Sequence, residues 1–288
     1  SYKGLTVFPV TKRGAIDTTN YLSFDEAQRA NVVAVTERGN KSESAQVAEV
    51  FVSNASSRPL YLVGGEVILG GKQDRVIRED VVIPPMSQNF RVRVFCVEQG
   101  RWNGRSMAFK ASDQMIDSKV REEAALGTQG GVWREVAAKA RKLGATLSGG
   151  GSYRGVIDDR NIGAQSSEFV RRLSPALSSS RTVGMIVAVA GRLVAVDLFQ
   201  SPRLFARTRD KMIRSYAIQA IEAGGVASSE PSRHEAGGFL SDAMTARPAA
   251  PAIADESGSN ARFDNDKVKG TERKSKDGKW LHKNFYKK

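Results

Sequence analysis

Over its first 98 residues the chain presents one short β-forming run after another, each closed by turn residues before it could grow into a helix. Leu5 to Val10, Val32 to Thr36, Val47 to Asn54, Leu60 to Val63, Arg75 to Ile83 and Phe90 to Glu98 are β-branched or alternating, with Arg58-Pro59 and Pro84-Pro85 among the breaks. Spacers this short leave little room for crossover helices, so antiparallel sheet is expected. One short helix interrupts the strands. Ser23 followed by Glu26 is a capping box, each side chain satisfying an orphan backbone N–H at the helix start.

Further along, the period changes. From Gly131 to Leu143, Trp133, Val136, Ala137, Ala140 and Leu143 recur at helical steps, which predicts an amphipathic helix with Trp133 in the core. Gly149-Gly150-Gly151 reads as a flexible joint, and the polar stretch to about Ser180 as helix and loop. Val183 to Val189 and Arg192 to Phe199 form a hairpin about Ala190-Gly191. Ser201 then caps a helix with Pro202 at its first position and Gly224 just past its end. Residues 226–260, rich in Ser, Ala, Pro and Gly, read as a linker or long loop. Beyond them Asp277-Gly278 turns a second hairpin between Val268 to Ser275 and Lys279 to Tyr286. An isolated hairpin is marginal in water, so it must return to the body of the protein. Trp280, His282 and Asn284 are expected to face that body and the lysines to face water.

The expected fold is therefore α+β: antiparallel β-sheets with packed amphipathic helices and a C-terminal β-hairpin. A single domain over residues 1–225, a linker over 226–260 and a basic hairpin over 261–288 is the expected organisation. No window carries the roughly 18 apolar residues of a membrane-spanning helix. Ser1 is not an initiator Met, and the compartment stays open at this point: cytoplasmic, or exported if Ser1 follows a cleaved leader. Net charge is +13, and residues 267–288 alone carry nine basic against two acidic side chains. That block suits an acidic partner, a second copy of the chain or simple solubility. Sequence-specific nucleic-acid recognition is not expected.

Several chemistries are excluded or disfavoured by residue type. One Cys and two His cannot build a Cys-rich zinc site, and neither metal nor cofactor is expected. Gly64 to Arg75 resembles a phosphate loop, but Glu66 stands where its first Gly belongs and Gln73 where its magnesium-binding hydroxyl belongs. Ser152 lacks the closing Gly of a nucleophile elbow, since Arg154 is there. What remains is a glycine-permissive loop with Lys72, Gln73 and Arg75, and a long strand whose inward alternation runs Phe90, Val92, Val94, Cys96, Glu98 into Arg101 and Trp102. Lys72, Arg75 and Arg101 are expected to hold phosphate or carboxylate, Gln73 to orient the ligand and Trp102 to stack on a base or sugar. Glu66 or Glu98 would act as general base or ribose anchor, with His282 closing the site. A salt-bridge network tying two loops together would use the same residues.

Leu5 to Val10, Gly65-Glu66 with Gly70 to Arg75, the run Cys96-Val97-Glu98-Gln99-Gly100-Arg101-Trp102 and Asp277-Gly278-Lys279-Trp280-Leu281-His282 together resemble the ARPP domain family. Val132-Trp133 and Gly184 to Ala220 extend the resemblance over nearly the whole chain. It implies a domain placed by association near ADP-ribose and NAD metabolism. The expected function is binding, with hydrolysis a further step, of an anionic nucleotide-derived ligand of that type. The alternative is a non-catalytic interaction or assembly module using the basic hairpin. Whether the chain is an enzyme stays open at this point.

Overall fold

The structure is a computed structural model that describes residues 1–37, 48–98, 108–144, 153–227 and 229–288. In chain order these form β1 (Leu5–Thr11), β2 (Leu22–Ser23), α1 (Phe24–Arg29), β3 (Val33–Thr36), β4 (Glu49–Asn54), β5 (Leu60–Leu62), β6 (Glu66–Gly70), β7 (Arg75–Ile77), β8 (Val81–Ile83) and β9 (Ser87–Cys96). There follow β10 (Ala108–Met115), α2 (Ser118–Leu126), α3 (Gln129–Leu143), α4 (Arg154–Ile157), α5 (Arg160–Leu173), β11 (Thr182–Val189), β12 (Arg192–Phe199) and α6 (Pro202–Glu222). The chain closes with α7 (Arg233–Thr245), β13 (Ile253–Asp255), β14 (Gly258–Asp264), β15 (Val268–Ser275) and β16 (Trp280–Lys287). The fold is α+β, and its strand pairs are antiparallel except β2 with β5. No helix among the described residues is long and apolar enough to cross a membrane.

The expected single domain resolves into two compact units: a split unit of Ser1–Thr19 with Asn161–Lys288, and a continuous unit of Asn20–Arg160. Strand β1 explains the division. It pairs with β11, whose sequence lies beyond the whole continuous unit.

The split unit is built on a seven-stranded sheet in the order β1-β11-β12-β16-β15-β14-β13. Its centre is the predicted hairpin of β11 and β12, whose turn residues Ala190 and Gly191 both take positive φ, 49° and 79°. Two-residue loops of this hand match the right-handed twist of the strands. Helix α6 starts as expected, with the Ser201 hydroxyl accepting from the Leu204 N–H and Pro202 in the first turn. On one sheet face, Tyr216 of α6 reaches Asp197. On the other, Ala236, Phe239 and Ala243 of α7 pack with Ile186, Val196, Leu198, Phe263, Val268 and Phe285.

The basic hairpin forms and docks within the chain: β16 pairs with β12 on one side and β15 on the other, while β15 also pairs with β14. One expectation about its faces is corrected. His282 and Asn284 are buried toward Asp197, but the register shift at Arg273/Lys274 turns half-buried Trp280 to the opposite face, with Lys283 and Phe285, which are buried too. The reason is α7, which covers that face. Lys283 is accommodated there by an ion pair with Glu272 and by lying 5.6 Å over the Trp280 ring. Lys267, Lys276, Lys279, Lys287 and Lys288 do face water. The stretch expected as a linker differs as well, since it carries α7, β13 and the start of β14. Small residues disguise it: α7 buries only two alanines and one Phe, which leaves a weak apolar signal.

In the continuous unit, β10-β3-β4-β9-β7-β6 close into a six-stranded barrel, and β2-β5-β8 form a small separate sheet. The expected strand from Arg75 to Ile83 is two strands, β7 in the barrel and β8 in the small sheet, so the chain changes sheets between Ile77 and Val81. Val35, Val50, Val52, Ile68, Ile77, Val92, Val94 and Phe109 belong to its apolar core. The Ser23–Glu26 capping box opens α1 as expected. Helix α3 runs two residues ahead of its predicted start because the Thr128 hydroxyl caps it, and Trp133 is half-buried on it.

Candidate functional site

Inside a barrel, alternate residues of each strand point inward. Followed toward one end, three of these inward rows stop being apolar. Val33 and Val35 lead to Glu37 just past β3, Ile77 is preceded by Arg75 at the start of β7, and Val92 and Val94 lead through Cys96 to Glu98 just past β9. Arg75 and Cys96 are direct cross-strand partners. The apolar interior thus ends in a polar plug in which Glu37, Gln73, Asp74, Arg75, Cys96 and Glu98 are all buried.

The plug is continuously hydrogen-bonded. Arg75 donates from Nη2 to Glu37 Oε1 at 3.3 Å and from Nη1 to Gln73 Oε1 at 3.2 Å. Gln73 Nε2 donates to the Glu98 carbonyl at 3.1 Å, and the Asp74 N–H donates to Glu98 Oε2 at 3.0 Å. Asp74 in turn receives the Gly70 N–H at 2.9 Å and a bidentate grip from Arg154, Nε at 2.8 Å and Nη2 at 2.7 Å. The Lys72 N–H donates to Glu37 Oε1 at 3.1 Å. Burying so many charges is costly unless each is paired, and the network supplies that pairing. Asp74 beside it pushes the Arg154 pKa up, so the guanidinium stays charged, and that side chain keeps 34% of its surface exposed.

Of the residues singled out from sequence, Gln73, Arg75 and Glu98 meet in this plug, and Lys72 sits half-buried at its rim on the turn after Gly71. Glu66 does not stand with them. It opens β6 while Gly70 closes it, with Ile68 between, and its Oε2 accepts the Val63 N–H at 2.9 Å. His282 belongs to the split unit, buried there with its ring stacked 3.9 Å from that of Phe199 and Nε2 3.3 Å from Asp197 Oδ1. Arg101, Trp102 and the Gly149-Gly150-Gly151 run lie outside the described residues. Among the described residues, no group of three or more His, Cys, Asp or Glu is placed to hold a metal ion.

Compared with known families, residues 1–286 match ARPP-1, described as the ARG and Rhodanese-Phosphatase-superfamily-associated Protein domain. The chain belongs to this family. The ARPP-1 match takes in both compact units, so the split and continuous units are parts of one family architecture. The comparisons find no match among curated proteins and none among solved structures.

Three members of the plug lie outside the residues expected from sequence: Glu37, Asp74 and Arg154. Glu37 carried a signal, because Val33-Val35-Glu37 repeats the alternation that singled out Glu98. Asp74 lies inside the Gly64 to Arg75 loop with nothing local to mark it, and Arg154, 80 residues away in sequence, has no local signal at all. Cys96 is held by main-chain bonds, its N–H donating to Gln129 Oε1 and its carbonyl accepting from Gln129 Nε2, both at 2.8 Å. Burial pushes its thiol pKa up; Arg75 opposes this, and the charges of Glu37 and Glu98 add to it. At neutral pH Cys96 is therefore a buried thiol, poorly reactive. Iodoacetamide is expected to label it only when the barrel opens or the protein is denatured; labelling of the native protein at the rate of a free thiol would contradict this.

Proposed function

We propose that the continuous unit binds a small anionic ligand of the ADP-ribose or NAD type at the polar end of its barrel. One observation carries the reading: charged and amide side chains from distant parts of the sequence converge on one barrel end, where small-molecule sites commonly form. Arg75 is fully engaged inside the plug, so its part is to hold Glu37 and Gln73 in place. The ligand's phosphates fall instead to Lys72 and Arg154, which retain exposed surface at the rim. Gln73 and Glu98 fix orientation, and Glu98 is the candidate general base if the bound molecule is hydrolysed.

The test is thermal shift and product analysis with ADP-ribose, NAD and related nucleotides. A binding ligand at a hundred times its Kd adds about 2.7 kcal/mol of stability. Lys72→Ala is expected to weaken binding roughly tenfold without changing the melting temperature of the free protein. If there is turnover, Glu98→Gln is expected to lower it about a hundredfold or more while folding and affinity persist. No shift and no product with any of these compounds at millimolar concentration would overturn the proposal.

A further inference from the structure

The carboxylates of the barrel plug differ in what their oxygens do. Both oxygens of Asp74 are occupied, Oδ1 by the Gly70 N–H and Arg154 and Oδ2 by Arg154. Glu98 Oε2 takes the Asp74 N–H. Glu37 uses Oε1 twice, for the Lys72 N–H and for Arg75, whereas its Oε2 is buried and has no hydrogen-bond partner among the described residues. The side chain is more than nine-tenths buried. Its room is reserved by Gly71, where a Cβ would come within 2.7 Å of Glu37 Oε1 and collide with the Phe109 ring. A carboxylate oxygen of this kind accepts and cannot donate, and buried acceptors in folded proteins are paired as a rule.

Resting on the binding function proposed above, we infer that Glu37 is the residue that recognises the ligand's sugar, its Oε2 accepting a hydrogen bond from a ribose hydroxyl. Charge points to a neutral donor. Glu37 is already ion-paired with Arg75 through Oε1, so its Oε2 calls for a hydrogen-bond donor rather than a second cation, and a hydroxyl supplies one. The division of labour is then spatial: Lys72 and Arg154 at the rim take the phosphates while Glu37, deeper in the barrel, reads the hydroxyl. Glu66, expected from sequence to share this role, already spends its Oε2 on Val63. A site built to accept from a hydroxyl rejects the analogue that lacks it, because the buried acceptor is left unpaired.

The experiment measures binding of ADP-ribose, and of its analogue with the ribose 2′ and 3′ hydroxyls replaced by hydrogen, to the wild-type protein and to Glu37→Gln. Gln keeps an acceptor for Lys72 and Arg75 but can present an amide donor where Oε2 was. The wild type is expected to prefer ADP-ribose by tenfold or more, and Glu37→Gln to lose that preference by weakening ADP-ribose alone. Wild-type binding of both compounds within twofold overturns the inference, and this arm holds even if the variant fails to fold. Equal ADP-ribose affinity in wild type and a folded Glu37→Gln also overturns it, leaving Oε2 simply hydrated. If the wild type binds neither compound, the proposed function falls and this inference with it.

Discussion

Cut after Asn260, the protein is expected to lose the cooperative folding of its split unit rather than shed a dispensable basic tail. The cut removes β15 and β16, so β12 becomes an open sheet edge, and β14 loses both its remaining residues and its partner. It also takes Ala261, Phe263, Val268 and Phe285 out of the core beneath α7. Truncating one buried Phe to Ala typically costs about 3–5 kcal/mol, and a whole domain is stable by only about 5–15 kcal/mol. Two Phe residues plus a β-branched neighbour therefore suffice to exhaust the margin. Hydrogen exchange should find β1, β11 and β12 unprotected in the truncated chain. Native protection there, with an unchanged melting temperature, would mean that the hairpin contributes nothing to the fold.

Asp197→Ala should be the most damaging single substitution in the same unit. Asp197 is fully buried and collects three side chains: Tyr216 donates to Oδ2 at 2.6 Å, Asn284 donates to Oδ1 at 2.9 Å, and His282 Nε2 lies 3.3 Å from Oδ1. Alanine removes the shared acceptor and leaves a hydroxyl, an amide and an imidazole buried without it. Losing one member of a buried charged network costs about 3–5 kcal/mol. Asp197→Asn keeps the shape and one acceptor, so it is expected to cost about 1–3 kcal/mol. Urea unfolding read through hydrogen exchange of β12 and β16 keeps the measurement local. A loss under about 1 kcal/mol for Asp197→Ala would show that the three partners find other acceptors.

Much of this was legible in the sequence wherever one physical rule acted locally. The Ser23–Glu26 box, the Ala190-Gly191 turn, Pro202 in the first turn of α6 and the Asp277-Gly278 hairpin all form as the residues dictate. α7 lies in a stretch whose Ser, Ala, Pro and Gly content reads as linker, although Ser232 and Glu235 repeat the same capping box. The division into two units was hidden for a different reason. β1 reads as the first of a series of strands, and nothing local says that its partner is β11 rather than its neighbours in sequence. The candidate site was half readable: alternation places Glu98 and equally Glu37 on the inward rows, while the Arg154–Asp74 grip is long-range and carries no pattern.

The pairing of β1 with β11 also fixes an order of events during synthesis. Leu5–Thr11 leaves the ribosome about 170 residues ahead of Thr182–Val189, which at 5–20 residues per second is a delay on the order of ten to thirty seconds. Loop closure and hydrophobic collapse take microseconds, so Asn20–Arg160 can complete its barrel while β1 still lacks a partner. Through that interval Leu5, Val7, Phe8 and Val10 form an apolar segment of high β propensity with no strand beside it. The vulnerable phase of this protein's life is therefore its making. Substitutions that slow β11 or β12 should reduce yield from the cell more than they reduce the stability of whatever protein is recovered.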